Sequence, residues 1–92
     1  MAEHELEGYD LRVKIVSIKG TCHNGHKVGD EWFIKHKTPE GICLGAFATL
    51  LPFIHMMKFG GGFAWSKDPD TQLRACPDSI NAVVYEIKRL RE

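Results

Sequence analysis

The sequence predicts a small α+β domain, in which a mostly antiparallel sheet built in the order β-β-α-β is covered by one long kinked apolar helix. Two segments, residues 11–19 and 81–89, alternate apolar and polar side chains as half-buried strands do. Between them, residues 42–58 form an apolar run that is longer than a typical strand. With 92 residues, 43% of them hydrophobic and 26% charged, the chain has the composition of one globular domain. We expect that domain over residues 11–92, after an acidic flexible segment at residues 1–10.

The first two predicted strands are joined by a loop that is rich in turn residues. On one face of the first strand the apolar side chains are Leu11, Val13, Ile15 and, after Val16, Ile18. The loop "KGTCHNGHKVGD", residues 19–30, contains three glycines and an Asn-Gly pair, which are turn signals. The next stretch, "EWFIKH" at residues 31–36, is typical of a second strand that pairs antiparallel with the first.

The apolar run at residues 42–58 predicts a helix about 25 Å long, at roughly 1.5 Å per residue. Pro52 lies inside it, and its missing backbone N–H predicts a kink. The run has no clear polar stripe, so the helix is either central in the fold or covered by another subunit. A chain of 92 residues is too small to enclose it, and we therefore expect a homo-oligomer formed through residues 42–58. The glycines that follow would end the helix, and residues 66–79 are expected to form a loop before the last strand.

Charge and composition disfavour several classes of function. The 12 Lys and Arg residues balance the 12 Asp and Glu residues, so no net field attracts nucleic acid or an anionic membrane. The acidic start of the chain has no basic and apolar signal segment, and we expect a cytoplasmic protein. Three cysteines are an odd number in such a chain, which disfavours a disulfide framework. The chain also lacks the spacing of a dinucleotide-binding loop, a P-loop or a hydrolase nucleophile elbow.

The cysteines lie in three different predicted segments, and the first two have neighbours that suit a ligand. Cys22 lies in the glycine-rich loop with His23 and His26, and such a loop can turn a sulfur and an imidazole inward together. Cys43 follows Gly41 at the predicted start of the helix, where backbone N–H groups and the helix dipole favour a thiolate.

The third cysteine also has a neighbour that suits a ligand. Cys76 precedes Pro77, as the last cysteine does in the bacterial ferredoxin pattern. The run Gly60, Gly61 and Gly62 adds backbone that can approach a bound cluster closely and donate N–H groups to its sulfides.

Three thiolates, with His26 as a fourth ligand or as a hydrogen-bond donor, suit two inorganic occupants. A zinc ion on three cysteines and one histidine would be a closed structural site. An iron–sulfur cluster on three cysteines would leave one iron open to histidine or to an external ligand. No Cys-x-x-Cys pair is present, and most zinc ribbons and ferredoxins contain one.

Each of these residues also has a plain structural interpretation. Cys43 on an apolar helix is typical of a core residue, and His26 is typical of a turn residue that pairs with Asp30. A nucleophile–base couple of Cys22 and His26, oriented by Asp30, is a further interpretation. Trp65 beside the glycine run is consistent with packing or with the roof of a pocket.

Four motifs resemble a known family. The motifs are "VSIKGTCHNGHKVGDEWFI", "GICLGAFATLLPFI", "FGGGFAW" and "ACPDSINAVVYEIKR". Together they resemble a family of small single-domain prokaryotic proteins with the pattern Lys-Gly-x-Cys-x-x-Gly-His-Lys-Val-Gly-Asp, then Gly-Ile-Cys, then Cys-Pro-Asp. The resemblance covers residues 11–90 and implies that the three cysteines and His26 occupy pattern positions, whereas His23 falls at a variable one. It implies one fold unit and carries no assigned activity.

Two hypotheses follow for the function. The first is a cytoplasmic metal-binding protein, iron–sulfur in preference to zinc, that serves electron transfer, cluster handling or small redox chemistry with a redox or cluster-exchange partner. The second is a metal-free homo-oligomeric binding module with a pocket near residues 60–65. Whether either catalyses a reaction is left open. The first hypothesis requires the three sulfurs to lie close together in the fold.

Overall fold

A computed structural model of the chain describes residues 8–22, 25–62, 67–78 and 80–90. Its elements in chain order are β1 (Asp10–Ile18), β2 (Glu31–Ile34), α1 (Leu44–Lys58), β3 (Thr71–Ala75) and β4 (Val83–Leu90). The strands form one sheet in the order β2-β1-β4-β3, and every neighbouring pair is antiparallel. The predicted α+β class, with a small antiparallel sheet and one helix, is therefore confirmed.

The long central strand β1 changes its register once. Its pairing with β4 shifts between Ile15 and Ser17, which leaves Val16 as a β-bulge. Side chains three positions apart in a regular strand point to opposite faces of the sheet. The extra residue at the bulge reverses this, so that Ile18 packs against the core like Ile15. The bulge accounts for the break in the alternation of this segment.

The prediction missed one strand, because Thr71–Ala75 lies in the segment expected to be a loop. In this edge strand the side chain buried against the core is polar, Gln72 at 7% exposure, and the apolar Leu73 is 54% exposed. The inward residue is thus polar and an outward residue apolar, which is the reverse of the usual half-buried strand. The strand forms because its backbone pairs with β4, although its side chains do not indicate a strand. The element order is β-β-α-β-β rather than β-β-α-β.

The helix also differs from the prediction. It begins at Leu44 instead of residue 42, has 15 residues, and continues through Pro52 as one element without a clear kink. Both Ala48 and Pro52 are exposed, so water can reach the carbonyl that loses its donor at the proline. The helix is about 22 Å long at 1.5 Å per residue.

The core lies between α1 and one face of the sheet. From the helix it takes side chains spaced by three or four residues, which are Ala46, Leu50, Ile54 and Met57. From the sheet it takes the inward residues of β1, β2 and β4, which are Leu11, Val13, Ile15, Ile34, Val83, Tyr85 and Ile87. The helix therefore buries one stripe, although its sequence is apolar on nearly all sides. The opposite face of the sheet carries exposed and half-buried residues, including an ion pair between Arg12 and Glu86 at 3.1 Å.

A buried arginine joins the last strand to the end of the helix. The Arg89 side chain donates to the Met57 carbonyl at 3.0 Å, to Asp70 Oδ1 at 3.0 Å and to the Pro69 carbonyl at 2.6 Å. Arg89 is only 2% exposed. The Met57 carbonyl has no partner within the helix, and it accepts this bond from Arg89 in addition to one from the Gly60 N–H at 3.2 Å.

The start of the chain contacts the same helix end. Tyr9 donates its backbone N–H to the Lys58 carbonyl at 2.8 Å, and Asp10 begins β1. Of the segment expected to be flexible, residues 8–10 thus belong to the ordered fold, and residues 1–7 lie outside the described part. In the described ranges no helix is long and apolar enough to span a bilayer.

Candidate functional site: a cavity lined by three cysteines

Cys22, Cys43 and Cys76 line one cavity of about 140 Å³. The first follows β1, the second directly precedes α1, and the third directly follows β3. None of them is in a disulfide, and each is half-buried. The structure therefore brings together the three thiols that the sequence places in separate segments. Tyr85, on the inward face of β4, forms part of the same wall.

Cys76 is held where the β3–β4 connection begins. Its backbone N–H donates to the Val83 carbonyl at 2.9 Å, and the Val83 N–H donates to the Cys76 sulfur at 3.3 Å. The thiol also lies 3.9 Å from the Asn81 carbonyl, a weak S–H hydrogen bond. A sulfur that accepts a backbone N–H is the arrangement that stabilises metal-bound thiolates.

The connection itself is a compact turn built on Asp78. Its Oδ1 accepts the backbone N–H groups of Ile80 at 2.9 Å and Asn81 at 3.0 Å, which is the pattern of an Asx turn. This turn directs the Asn81 side chain toward the segment that carries Cys22. The Asn81 Oδ1 then accepts the Thr21 N–H at 3.1 Å.

A glycine makes that contact possible. A Cβ atom on Gly20 would overlap the Asn81 carboxamide, and Gly20 has a φ of +81°, which other residues rarely adopt. The backbone of this segment is further held by a hydrogen bond from the Lys19 N–H to the Ala82 carbonyl at 2.8 Å. Gly20 and Asn81 thus bring Cys22 to the side of the cavity that Cys76 occupies. Sequence analysis did not single out Asn81, because an isolated asparagine in a turn carries no periodic signal.

Cys43 enters from the helix side. It occupies the N-cap position of α1, and its carbonyl accepts the Phe47 N–H at 2.9 Å. The position of a Cβ on Gly45 would be 3.9 Å from the Pro77 ring and 4.0 Å from the Cys43 sulfur. The first turn of the helix therefore packs closely against the turn that carries Cys76.

His26 does not line the cavity. Its ring is edge-on to Trp32 with centroids 5.1 Å apart, and Trp32 is in turn 6.2 Å from Tyr85. Its Nδ1 lies 3.8 Å from Asp30 Oδ2, as the structural interpretation of this turn expects. Its Nε2 is buried and finds no hydrogen-bond partner among the described residues. His26 thus packs against Trp32 and is not among the residues that line the cysteine cavity.

The other residues named from the sequence lie elsewhere. Gly60, Gly61 and Gly62 follow the C-terminal end of α1, a full helix length from Cys43 at its start, and none of them lines the cysteine cavity. The structure does not bring them to the thiols, because a continuous helix separates the two ends. His23 and Trp65 lie outside the described residues.

The described residues contain no preformed metal site. No group of three or more His, Cys, Asp or Glu side chains in these parts of the chain is arranged to hold a metal ion. The thiols share a cavity without converging on one point.

Tyr85 has an unusual environment for a phenol. Burial raises its pKa well above the ordinary value, and the nearby thiols of Cys22, Cys43 and Cys76, together with Asp30, raise it further when they are charged. Sequence periodicity places Tyr85 on the inward side of β4, and the structure adds that this side faces the thiols.

We expect Tyr85 to make the fold sensitive to alkali. Because its pKa in the folded state lies above that in the unfolded state, its contribution is complete below about pH 10 and is lost as the pH rises further. The free energy of unfolding should fall by up to about 1.4 kcal/mol per pH unit from this group. Denaturant unfolding between neutral and alkaline pH measures the slope, and Tyr85→Phe should make it shallower. An unchanged slope in that variant would assign the loss to other groups.

Comparison of the chain with protein-family models, with curated proteins and with solved structures finds no match. The site is therefore interpreted from its own geometry.

Proposed function

We propose that the protein binds a thiolate-ligated metal centre, iron–sulfur in preference to zinc, through Cys22, Cys43 and Cys76. The observation that supports this proposal is the shared cavity, to which three separate segments each contribute a thiol. A fold that needed these cysteines only as small apolar residues would have no reason to gather all of them around one space.

We expect a common ligand to draw the thiols together by side-chain rotation. Rotation of a cysteine between staggered χ1 wells moves its sulfur by about 3 Å, without any change in the backbone. The backbone around them is already held by the Asn81 contact, by the Val83 hydrogen bonds and by the first turn of α1. Binding would thus reorient side chains within a rigid frame.

The size of the cavity favours a cluster over a single ion. A single water molecule needs only about 10–15 Å³ of such space, and this cavity offers about 140 Å³. The described residues that line it include Asp78 and no lysine or arginine, so a bound metal would itself supply the positive charge that thiolate ligands need.

Three cysteine ligands leave one position of a four-iron cluster for another group. His26 would need to move from its contact with Trp32 to supply it, and otherwise an external molecule would bind there. Such a centre suits electron transfer, cluster handling or redox chemistry on a small ligand, with the buried Tyr85 phenol as a neighbouring hydrogen-bond donor.

The test is the metal and acid-labile sulfide content per chain of protein purified without oxygen. Iron and sulfide in nearly equal amounts are the expected result. Zinc without sulfide would make the site structural, as in closed zinc sites. A fully folded protein with neither metal would contradict the proposal.

A folded protein without metal would favour a second candidate function, that of a metal-free homo-oligomer formed through α1. The outward side of this helix exposes apolar residues, with Leu44 at 84% and Leu51 at 45%, beside the exposed Ala48 and Pro52. Such a stripe is costly in water and suits contact with a second copy. The associated pocket near residues 60–65 falls partly outside the described residues.

A further inference from the structure

A second and larger cavity lies between the bend that follows β2 and the C-terminal half of α1. Its volume is about 640 Å³, within the range of about 300–1,000 Å³ typical of small-molecule sites. No described residue lines both this groove and the cysteine cavity. The groove is therefore separate from the proposed metal centre.

The interior of the groove is apolar. Its floor includes Ile34 and Ile54, which are 5% and 3% exposed and belong to the core. Phe47 lines it from the helix, and Leu51 and Phe59 remain 45% and 54% exposed at its opening. Two large apolar side chains thus stand in water at the edge of a space that an apolar ligand can fill.

The rim of the groove is basic. It consists of Lys35, His36, Lys37, His55 and Lys58, and no acidic side chain is among the described residues that line it. In the whole chain, Lys and Arg together equal Asp and Glu in number, at 12 each. A one-sided group of this kind is therefore a local feature of the groove rather than a property of the composition.

Two of these basic residues have a structural role. His55 and Lys58 lie in the last turn of α1, where positive charge complements the helix dipole, and the Lys58 amine donates to the Tyr9 carbonyl at 3.3 Å. The side chains of Lys35 and Lys37 are different, since they are exposed and form no ion pair or hydrogen bond with any residue in the described ranges. Their charge is available to a ligand.

We propose that this groove binds a small organic anion with an apolar body, such as an aryl or alkyl carboxylate. The apolar body covers Leu51 and Phe59, and the carboxylate pairs with Lys35 and Lys37. The head group lies on the side of these lysines, because the carbonyls at the end of α1 carry partial negative charge and repel an anion.

The test uses 4-phenylbutyrate and its uncharged counterpart 4-phenylbutanol, each titrated to millimolar concentration into the full-length ¹⁵N-labelled protein. We expect the acid to shift the amide signals of Phe47, Leu51 and Phe59, and to bind about five- to tenfold more tightly than the alcohol. Equal affinity for the two compounds, or no shift at these residues, would overturn the proposal.

Matched double variants test the role of the lysines. Lys35→Gln combined with Lys37→Gln removes two exposed charges and should weaken binding of the acid by about five- to tenfold without affecting the alcohol. The control, Lys19→Gln combined with Lys88→Gln, removes two exposed charges outside the groove and should leave both affinities unchanged. If both double variants lost the same affinity for the acid, the effect would come from net charge alone, and the proposed site would be wrong. The groove could instead be covered by a second copy of the chain. A dimer in light scattering would show this if 4-phenylbutyrate neither dissociates it nor shifts the groove signals, and that result would also overturn the proposal.

Discussion

The proposed metal centre predicts that Cys76→Ser removes most of the metal and lowers the stability of the metal-bound protein by several kcal/mol. A serine oxygen is a poor replacement for a thiolate toward iron or zinc, and the free energy of metal binding is part of the free energy of folding. In a plain packing role the same change would cost only about 1 kcal/mol, which lowers the melting temperature of a domain this size by roughly 4–8 °C. Metal analysis and thermal unfolding of protein prepared without oxygen measure both effects.

The control for this prediction is the same pair of proteins after removal of metal with a chelator. If Cys76 is a ligand, the difference in melting temperature between the metal-free wild type and metal-free Cys76→Ser should shrink to the roughly 4–8 °C expected from packing alone. His26→Gln, compared with His36→Gln at an exposed position outside the cavity, shows in addition whether the buried imidazole supplies a ligand. Undiminished metal content with an unchanged melting temperature in Cys76→Ser would remove this cysteine from the ligand set.

Arg89→Met should lower the free energy of unfolding by about 3 kcal/mol, with or without metal. The change keeps the apolar stem but leaves the Met57 and Pro69 carbonyls and the Asp70 carboxylate without the guanidinium that now donates to them. The loss is large because the guanidinium itself is buried and makes all of these bonds inside the fold, with 1% of the Arg89 side chain exposed against 26% of the Asp70 side chain. Denaturant unfolding at neutral pH measures the loss, and the melting temperature should fall by more than about 10 °C.

Arg12→Met is the matched control for this second prediction. Arg12 pairs with Glu86 at 3.1 Å on the open face of the sheet, and the two side chains are 28% and 26% exposed. An ion pair with this access to water contributes about 1 kcal/mol or less. If both arginine variants lose the same stability, the Arg89 contacts do not anchor the helix end.

The strands β1 and β4 show what sequence patterns determine. Their inward residues alternate with polar ones because one face of an antiparallel sheet meets the core and the other meets water, and this period of two is visible in the sequence. The edge strand β3 has no such signal, since its inward residue Gln72 is polar and its structure comes from backbone pairing with β4. Backbone hydrogen bonds to a neighbour leave no trace in the order of side chains, and so this strand was missed.

The candidate site was likewise predictable from the sequence in part and dependent on the tertiary structure for the rest. The three thiols, their flanking glycines and the proline after Cys76 are properties of the sequence, and they were sufficient to identify candidate ligands. Their meeting in one cavity depends on contacts between segments that are 60 residues apart, such as the Thr21 N–H on the Asn81 side chain. The Gly60–Gly62 run is not part of this cavity, because the continuous helix α1 places it at the opposite helix end from Cys43.

The sequence by itself thus determined the α+β class, the inward faces of the long strands and the identity of the thiols. These follow from local periodicity and residue chemistry, which act over a few positions along the chain. Only the tertiary structure decided the fourth strand, the contact of His26 with Trp32 and the basic groove beside α1. Each of these depends on which distant segments pack together, and that choice is made by the burial of the whole core rather than by any one segment.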